Sequence, residues 1–221
     1  LVENFKSDEY ILTNQFRMRA SYKLIKWIDQ FVNKKVLPIP YEDEFDFKIF
    51  NSGSTMYEKI VEKNKNYGLA RMVSTFDYVH KKDGKTYYIE EDELKLPWNT
   101  TEGDTTWAER AETIGEVGSI YTVQGFDLNY VGVILGPSVS YDEEKNEIKI
   151  ITENYKDTEA FKGKNECDDS EVVKEKIILN SINILLKRGI KGLYIYASDS
   201  KLRTHLMTLY ENREEGYSYM K

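Results

Sequence analysis

The segment from Gly118 to Gly136, GSIYTVQGFDLNYVGVILG, constrains the fold more than any other part of the chain. Its second half, Tyr130 to Leu135, is almost continuously apolar, and a strand that is apolar on both faces belongs inside a sheet covered by helices on both sides. A shorter apolar run, Ile120 to Val123, precedes it, and Gln124-Gly125 separates the two. The pattern predicts two buried strands of a mostly parallel α/β sheet joined by a polar turn. Because open α/β sheets bind ligands at the carboxyl ends of strands, the turn is expected to mark a site.

Periodic apolar residues predict helices around this sheet. The first begins near Ser21, and a second begins where Thr55 and Glu58 have the spacing of a capping box. Two more follow, one capped by Asp169 or Ser170 and one by the segment 198–200. Further strands are predicted at 45–50 and 193–196.

Two antiparallel arms are predicted outside this core. Residues 70–78 and 85–89 are expected to form a hairpin closed at Asp83-Gly84, a strong turn signal, and residues 139–141 and 148–151 a second one. We therefore expect hairpin or loop insertions near 70–113 and 139–169. Trp98 and Trp107 fall in the first insertion, where they either anchor the loop on the core, the favoured interpretation, or stack nucleic-acid bases.

Composition narrows the classes of protein. The 221 residues carry 31 basic and 38 acidic side chains, a formal charge of -7, which argues against a positively coated surface but leaves room for a local basic groove. One cysteine, Cys167, allows no internal disulfide and indicates a reducing compartment, so we expect a cytoplasmic protein. No apolar run approaches the ~20 residues of a membrane helix, and no membrane partner is expected. His80 and His205 are isolated and the carboxylates are not clustered, so no metal site is predicted.

Three separated segments place polar groups at edges of the predicted sheet: QFR at 15–17, TVQGFD at 122–127 and LLKRG at 185–189. In this order they resemble motifs IV, V and VI of the second RecA-like domain of superfamily 1 helicases. Nearly the whole chain is similar to the C-terminal half of the bacterial Schlafen-group-3-like DNA/RNA helicase family, which also has the Trp-Ile-Asp helix found here at 27–29. Each motif alone is weak, whereas the combination is specific.

The resemblance implies that residues 1–221 are a single RecA-like domain of the P-loop NTPase type, the second of a helicase whose P-loop domain lies upstream. It assigns a catalytic role to Arg17 and Arg188, which would reach the γ-phosphate of ATP when the two domains close. A guanidinium fork suits a phosphoryl group in transfer better than a lysine point charge does. The alternative for either arginine alone is a surface ion pair at the end of an element.

The same resemblance assigns nucleotide binding to Gln15, Gln124, Gly125 and Asp127. Asp127 would lie near the ribose or in the network that couples nucleotide to strand. Thr122 would contact a phosphate of a nucleic acid, expected to be single-stranded; a hydroxyl bonded to its own turn is an equally open alternative.

The chain departs from the family pattern at two positions and lacks one motif. Lys187 stands where members usually have Thr, and Asp127 where motif V often ends in Glu. No G-x-x-x-x-G-K-[ST] loop occurs in the sequence, so the chain alone is not expected to hydrolyse ATP, and ATP with Mg²⁺ would bind only in the full-length protein. The alternative to a motor is a degenerate helicase-like domain that acts as a nucleotide-sensing or interaction scaffold.

Overall fold

The computed structural model describes residues 17–81, 83–100, 105–164 and 169–213, and its centre is a five-stranded sheet flanked by helices. In chain order the elements are α1 (Tyr22–Phe31), β1 (Asp46–Ile49), α2 (Gly53–Tyr67), β2 (Ala70–Ser74), β3 (Tyr88–Glu91), β4 (Leu94–Pro97), β5 (Val117–Gly118), β6 (Leu128–Leu135), β7 (Val139–Asp142), β8 (Glu147–Ile150), α3 (Ser170–Leu186), β9 (Gly189–Ala197) and α4 (Ser200–Glu211). The sheet order is β1-β9-β6-β2-β5, and every neighbouring pair is parallel. The predicted RecA-like α/β class is confirmed.

Strands β6 and β9 form the centre of the sheet. They pair in parallel from Leu128 opposite Gly189 to Leu135 opposite Ala197, and nearly all of their side chains are buried. A Cβ on Gly189 would lie 2.1 Å from the carbonyl oxygen of Gly192, so no larger residue fits there without a backbone shift. The near-continuous apolar run that predicted a central strand therefore does form one.

The predicted helices are present, with one correction at a cap. Ser21 caps α1 and accepts a hydrogen bond from the Leu24 N–H at 3.3 Å. Helix α2 begins three residues earlier than the capping-box spacing indicated, because Ser52, in extended conformation, accepts from the Thr55 N–H. Asp199 caps α4 by accepting from the Leu202 N–H at 2.8 Å.

The first predicted hairpin was wrong in its pairing. Strand β2, buried along its whole length, lies inside the central sheet between β6 and β5. It pairs in parallel with both of them and is not part of a hairpin. The antiparallel arm is instead β3 with β4, which turns at Asp92. Asp83-Gly84 does form a turn, in which Asp83 Oδ1 accepts from the Lys85 N–H, but it does not join two paired strands. The second predicted hairpin, β7 with β8, is confirmed.

Residues 120–123 form a turn, where the apolar run had predicted a strand. The Ser119 N–H donates to Thr122 Oγ1 at 2.8 Å, and this hydroxyl donates back to the Ser119 carbonyl at 3.0 Å. The Tyr121 N–H donates to Ser119 Oγ at 3.2 Å. Hydroxyl side chains that bond to nearby backbone compete with ladder hydrogen bonds, which explains why β5 ends at Gly118.

Both tryptophans anchor their loop on the core, as the favoured interpretation predicted. Trp98 is 1% exposed and donates its indole N–H to the Tyr78 carbonyl at 3.3 Å. Trp107 is 5% exposed and donates to the Glu116 carboxylate at 2.8 Å. Neither ring offers a free face to a base. Among the described residues, no helix has the length and apolarity needed to cross a membrane.

A buried carboxylate ties the end of β2 to the turn after β6. Asp77 Oδ2 accepts hydrogen bonds from the Thr75 hydroxyl at 2.8 Å and from the Ser138 N–H at 2.9 Å. The Thr75 oxygen in turn accepts from the Gly136 N–H at 2.9 Å. Burial disfavours the charged form and raises the pKa of Asp77 to about 6. Two loops at the carboxyl edge of the sheet are thereby fixed to each other.

The raised pKa of Asp77 makes a prediction about stability and pH. The folded protein favours the protonated carboxyl of Asp77 over the ionised form. The stabilisation that this preference adds to the free energy of unfolding is fully present below the pKa of the unfolded chain, near 4, and is lost as pH rises through about 6. Asp77→Asn cannot ionise. Its free energy of unfolding relative to wild type is expected to improve by about 3 kcal/mol between acid and neutral pH. Urea unfolding across this pH range measures the difference.

The matched control for this experiment is Asp43→Asn, the same change at an exposed carboxylate. Its unfolding curves are expected to follow those of wild type at each pH. Parallel pH profiles for Asp77→Asn and wild type would show that Asp77 ionises as freely in the folded protein as in the unfolded chain, and would contradict the prediction.

Candidate functional site

The residues of motifs V and VI meet at the amino-terminal edge of the sheet. Leu128 and Gly189, the first residues of β6 and β9, lie opposite each other, so Asp127 and Arg188 come directly before neighbouring strands. The expectation that the polar turn lies at the carboxyl ends of strands is therefore wrong for Asp127. The turn after β5 carries the chain from the carboxyl edge back to the amino edge, and Asp127, at its end, therefore lies there.

Arg17 is held beside this edge by the segment that leads into α1. The Arg19 N–H donates to the Ile190 carbonyl at 2.9 Å, and Met18 is buried. Arg17 Nε forms an ion pair with the Asp127 carboxylate, and the two side chains are 39% and 45% exposed. A half-exposed pair of this kind adds little to stability. Its consequence is positional, because it joins motif IV to motif V.

Arg188 is the buried member of the group, at 7% exposure. Its backbone is fixed at both ends, since its N–H donates to the Leu185 carbonyl and its carbonyl accepts from the Leu128 N–H, each at 3.2 Å. Its Nη1 donates to the Phe126 carbonyl at 3.1 Å, while Nε is buried and has no hydrogen-bond partner among the described residues.

The electrostatic surroundings of Arg188 leave its charge poorly compensated. No carboxylate of the described ranges lies within ion-pair distance of it. Burial lowers the pKa of Arg188, the positive charge of Arg17 lowers it further, and the carboxylate of Asp127 acts in the opposite direction. Arginine stays protonated in proteins even so. The site therefore holds a desolvated cation with unused donors, which is an arrangement suited to an anion.

A groove of about 380 Å³ connects two of the predicted residues. Gln124 and Arg188 line it together with Asn180 and Ser181 of α3. Gln124 is exposed, and Gly125 follows it with φ +78°, a left-handed conformation that glycine adopts without strain. The structure thus brings the amide and the guanidinium to one groove.

The structure does not bear out the roles predicted for Thr122 and Gln15. The Thr122 hydroxyl is engaged with Ser119 of its own turn both as donor and as acceptor, which is the alternative that the sequence left open. Gln15 lies outside the described residues. Gln15 as a nucleotide contact and Thr122 as a nucleic-acid contact stay predictions.

Lys187, which stands where family members usually have Thr, does not direct its ammonium group toward the groove with Arg188. Its ammonium pairs with the Asp29 carboxylate of α1, and the lysine side chain is 16% exposed. This contact ties the end of α3 to α1. The lysine is therefore a structural link in this chain and does not add a second cation to the groove.

Sequence reasoning missed a second cavity, of about 670 Å³, which Phe76, Asn99, Tyr121 and Asp157 help to line. Its signal was present in the polar and aromatic residues that directly follow β2 and β5, but those residues had been assigned to strands. No group of three His, Cys, Asp or Glu side chains in the described part of the chain is arranged to hold a metal ion.

Comparison with known proteins gives the chain a family. A model of the Schlafen group 3, DNA/RNA helicase domain matches residues 3–199. The uncharacterized protein YPL245W of Saccharomyces cerevisiae is 46% identical over 90% of this chain, which spans 48% of that relative, or about half its length. No solved structure matches the chain. The family match covers most of the chain and contains Arg17, the 122–127 turn and Arg188, and we conclude that the chain belongs to the Schlafen group 3 DNA/RNA helicase domain family.

Proposed function

We propose that this chain is the second motor domain of an ATP-dependent helicase or translocase. It supplies Arg17 and Arg188 to ATP bound on a P-loop domain of the same polypeptide, and it forms part of the path of a single-stranded nucleic acid. The observation that carries the proposal is the state of Arg188, a buried cation with one hydrogen-bonded nitrogen and no carboxylate within ion-pair distance in the described part of the chain.

The chemistry of phosphoryl transfer gives this arrangement a purpose. The transferred group carries charge on its oxygens, and an arginine brought in from a second domain stabilises that charge. ATP with Mg²⁺ supplies the phosphoryl group and part of the charge neutralisation when bound. Arg188 offers donors that its own domain leaves unused, and its fixed backbone limits the reorganisation needed on contact. Arg17, oriented by Asp127, stands beside it.

Gln124, Gly125 and Asp127 complete the proposed nucleotide edge. Gln124 shares the groove with Arg188, and Asp127 sets the direction of Arg17. Binding of the nucleotide at this edge would pull the turn after β5, which leads to β6, toward the P-loop domain. Because the same turn begins at the carboxyl edge of the sheet, it would couple the bound nucleotide to a nucleic-acid strand bound at that edge.

The alternative, a degenerate domain that senses nucleotide or binds partners, has less support. Its two arguments were the departures at Lys187 and Asp127, and both residues have other roles in the structure. Lys187 pairs with Asp29, and Asp127 pairs with Arg17. Neither departure removes Arg188 from the groove.

A cytoplasmic location, inferred from the single cysteine, belongs to the same proposal.

Arg188→Ala in a full-length protein with an intact P-loop domain is the direct test. ATP binding is expected to stay nearly unchanged, because the P-loop domain holds most of the nucleotide. Nucleic-acid-stimulated ATP turnover is expected to fall by about 10³-fold or more. Steady-state ATPase assays with and without single-stranded nucleic acid measure the effect, and equilibrium ATP binding separates it from loss of affinity.

Two variants sharpen the result. Lys187→Ala removes the neighbouring cation, which pairs with Asp29, and should leave turnover far closer to wild type. Arg188→Lys keeps the charge without the planar fork and should recover only part of the rate. Turnover near wild type in Arg188→Ala, or an equal loss in Lys187→Ala, contradicts the arginine assignment.

A second prediction concerns the 221-residue chain by itself. It carries no phosphate-binding G-x-x-x-x-G-K-[ST] loop, so nothing in it can cradle the β- and γ-phosphates. We expect no ATP hydrolysis above background from the purified chain, with or without single-stranded nucleic acid. Phosphate release measured over hours is sufficient. Activity that co-purifies with the chain and is lost in Arg188→Ala would contradict the half-motor assignment.

A further inference from the structure

The cavity of about 670 Å³ lies at the opposite edge of the sheet from the start of β6 and β9. Phe76 comes two residues after β2, and Tyr121 comes three residues after β5. These strands are parallel neighbours, so both residues leave the sheet at its carboxyl edge, where open α/β sheets bind ligands. The proposed contacts to ATP use neither residue.

Tyr121 presents a fixed aromatic ring to this cavity. The residue is 50% exposed, yet its ring is held at both ends. The Phe76 ring meets the Tyr121 ring edge-on, with ring centroids 5.8 Å apart and an interplanar angle of 80°. The Tyr121 hydroxyl donates to the buried carboxylate of Asp157. Asp157 is itself fixed by the Ala160 N–H, which donates to Oδ1 at 3.0 Å. An exposed ring that is already ordered loses little entropy when a flat ligand stacks on it.

Asn99 supplies a directed donor on the cavity wall. The Tyr121 N–H donates to Ser119 Oγ, so the Ser119 hydroxyl hydrogen is available for Asn99 Oδ1, which accepts it at 2.7 Å. That bond sets the orientation of the amide. The Nδ2 end makes no hydrogen bond to the described part of the chain. Asn99 is 3% exposed and has φ +53°, which an asparagine tolerates better than most residues.

The rim of the cavity carries charges of both signs. Lys156 and Glu159 are both exposed there and carry opposite charges. The wall that bears them is tied to the sheet, because the Lys156 N–H donates to the Phe76 carbonyl at 2.7 Å. With Asp157, whose carboxylate accepts from Tyr121 and Ala160, the lining holds one lysine and two acidic residues, so its charge does not select the ligand. A fixed aromatic face and a free amide donor together suit a planar heterocycle that carries hydrogen-bond acceptors.

We propose that this cavity accepts one base of a single-stranded nucleic acid, stacked on Tyr121 and hydrogen-bonded by Asn99 Nδ2. Tyr121 and Asp157 line both this cavity and the groove that contains Arg188, so the two spaces adjoin at the Tyr121–Asp157 contact. The groove with Arg188 is assigned to ATP, so the base in the adjoining cavity is assigned to the nucleic-acid strand and not to that nucleotide. The inference rests on the proposed function only in taking a nucleic-acid strand as the ligand.

The test compares strands that have bases with strands that lack them. Fluorescence anisotropy is measured for the 221-residue chain with labelled single-stranded DNA and RNA of about 12 nucleotides and with an abasic strand of equal length and charge. Wild type is expected to bind a base-bearing strand about tenfold more tightly than the abasic one. Equal affinities for the two would overturn the proposal.

Variants then locate the difference. Tyr121→Ala should reduce the base-bearing affinity to the abasic level, while Tyr121→Phe, which keeps the ring, should retain most of it. Asn99→Asp replaces the donor by an acceptor of the same size and should change the preference among homopolymers. The matched control is Tyr88→Ala on β3, which removes a tyrosine of similar exposure, 45%, that does not line the cavity. An equal loss in Tyr88→Ala and Tyr121→Ala would overturn the assignment.

Two further arms keep the result interpretable. Circular dichroism and thermal unfolding establish that each variant is folded, and Tyr121→Phe carries the test if Tyr121→Ala is not. Competition with adenosine and uridine monophosphates checks the source of the base. If mononucleotide binding depends on Tyr121 and strand binding does not, the assignment of a nucleic-acid strand as the ligand of this cavity is overturned. The assay contains no ATP, so its outcome is independent of whether Arg188 acts in turnover.

Discussion

The parallel pairing of β6 with β9 is the constraint on which the rest of the structure depends. The two strands start opposite each other, at Leu128 and Gly189, and the residues just before them are brought together by the register alone. The close approach of Gly189 to the Gly192 carbonyl leaves no room for a side chain at the start of β9. A shift in this register would separate Asp127 from Arg188. Backbone pairing in the core therefore positions motifs V and VI and leaves their side chains available for the proposed site.

The arrangement carries an electrostatic cost, because it buries the charged guanidinium of Arg188. An unsatisfied buried donor costs about 1–3 kcal/mol, and a buried charge without a partner costs more. Arg188 lies directly before β9, one of the two buried central strands of the sheet. Arg17 worsens the repulsion while Asp127 moderates it. An anion supplied from outside the domain would offset this cost, which supports the proposed contact between Arg188 and a nucleotide.

Sequence patterns predicted the parts of the fold that local chemistry decides. The apolar runs of β6 and β9 and the periodicity of α1 lead directly to buried elements. The place of β2 could not be read this way, because Asp83-Gly84 is a strong local turn signal and sheet order depends on contacts distant in sequence. The 120–123 run had the composition of a strand, yet the hydroxyls of Ser119 and Thr122 bond to their own turn and end β5 early.

The candidate site divides in the same way. Arg17, Asp127 and Arg188 were found by their resemblance to family motifs, but their position at the amino edge followed only from the strand register. Tyr121 was visible in the sequence and was assigned to a strand, so its exposed ring went unrecognised. Asp157 gave no signal at all, since a lone aspartate in a polar loop has no pattern, and its contact with Tyr121 depends on tertiary structure.

The most direct test of the central claim is a structure of the full-length protein with a non-hydrolysable ATP analogue and a single-stranded nucleic acid. The quantity to read from it is the distance between the Arg188 guanidinium nitrogens and the γ-phosphate oxygens. We expect a hydrogen-bonded contact of about 2.7–3.2 Å. An Arg188 side chain that still donates only to the Phe126 carbonyl, with the γ-phosphate bound elsewhere in a closed state, would contradict it.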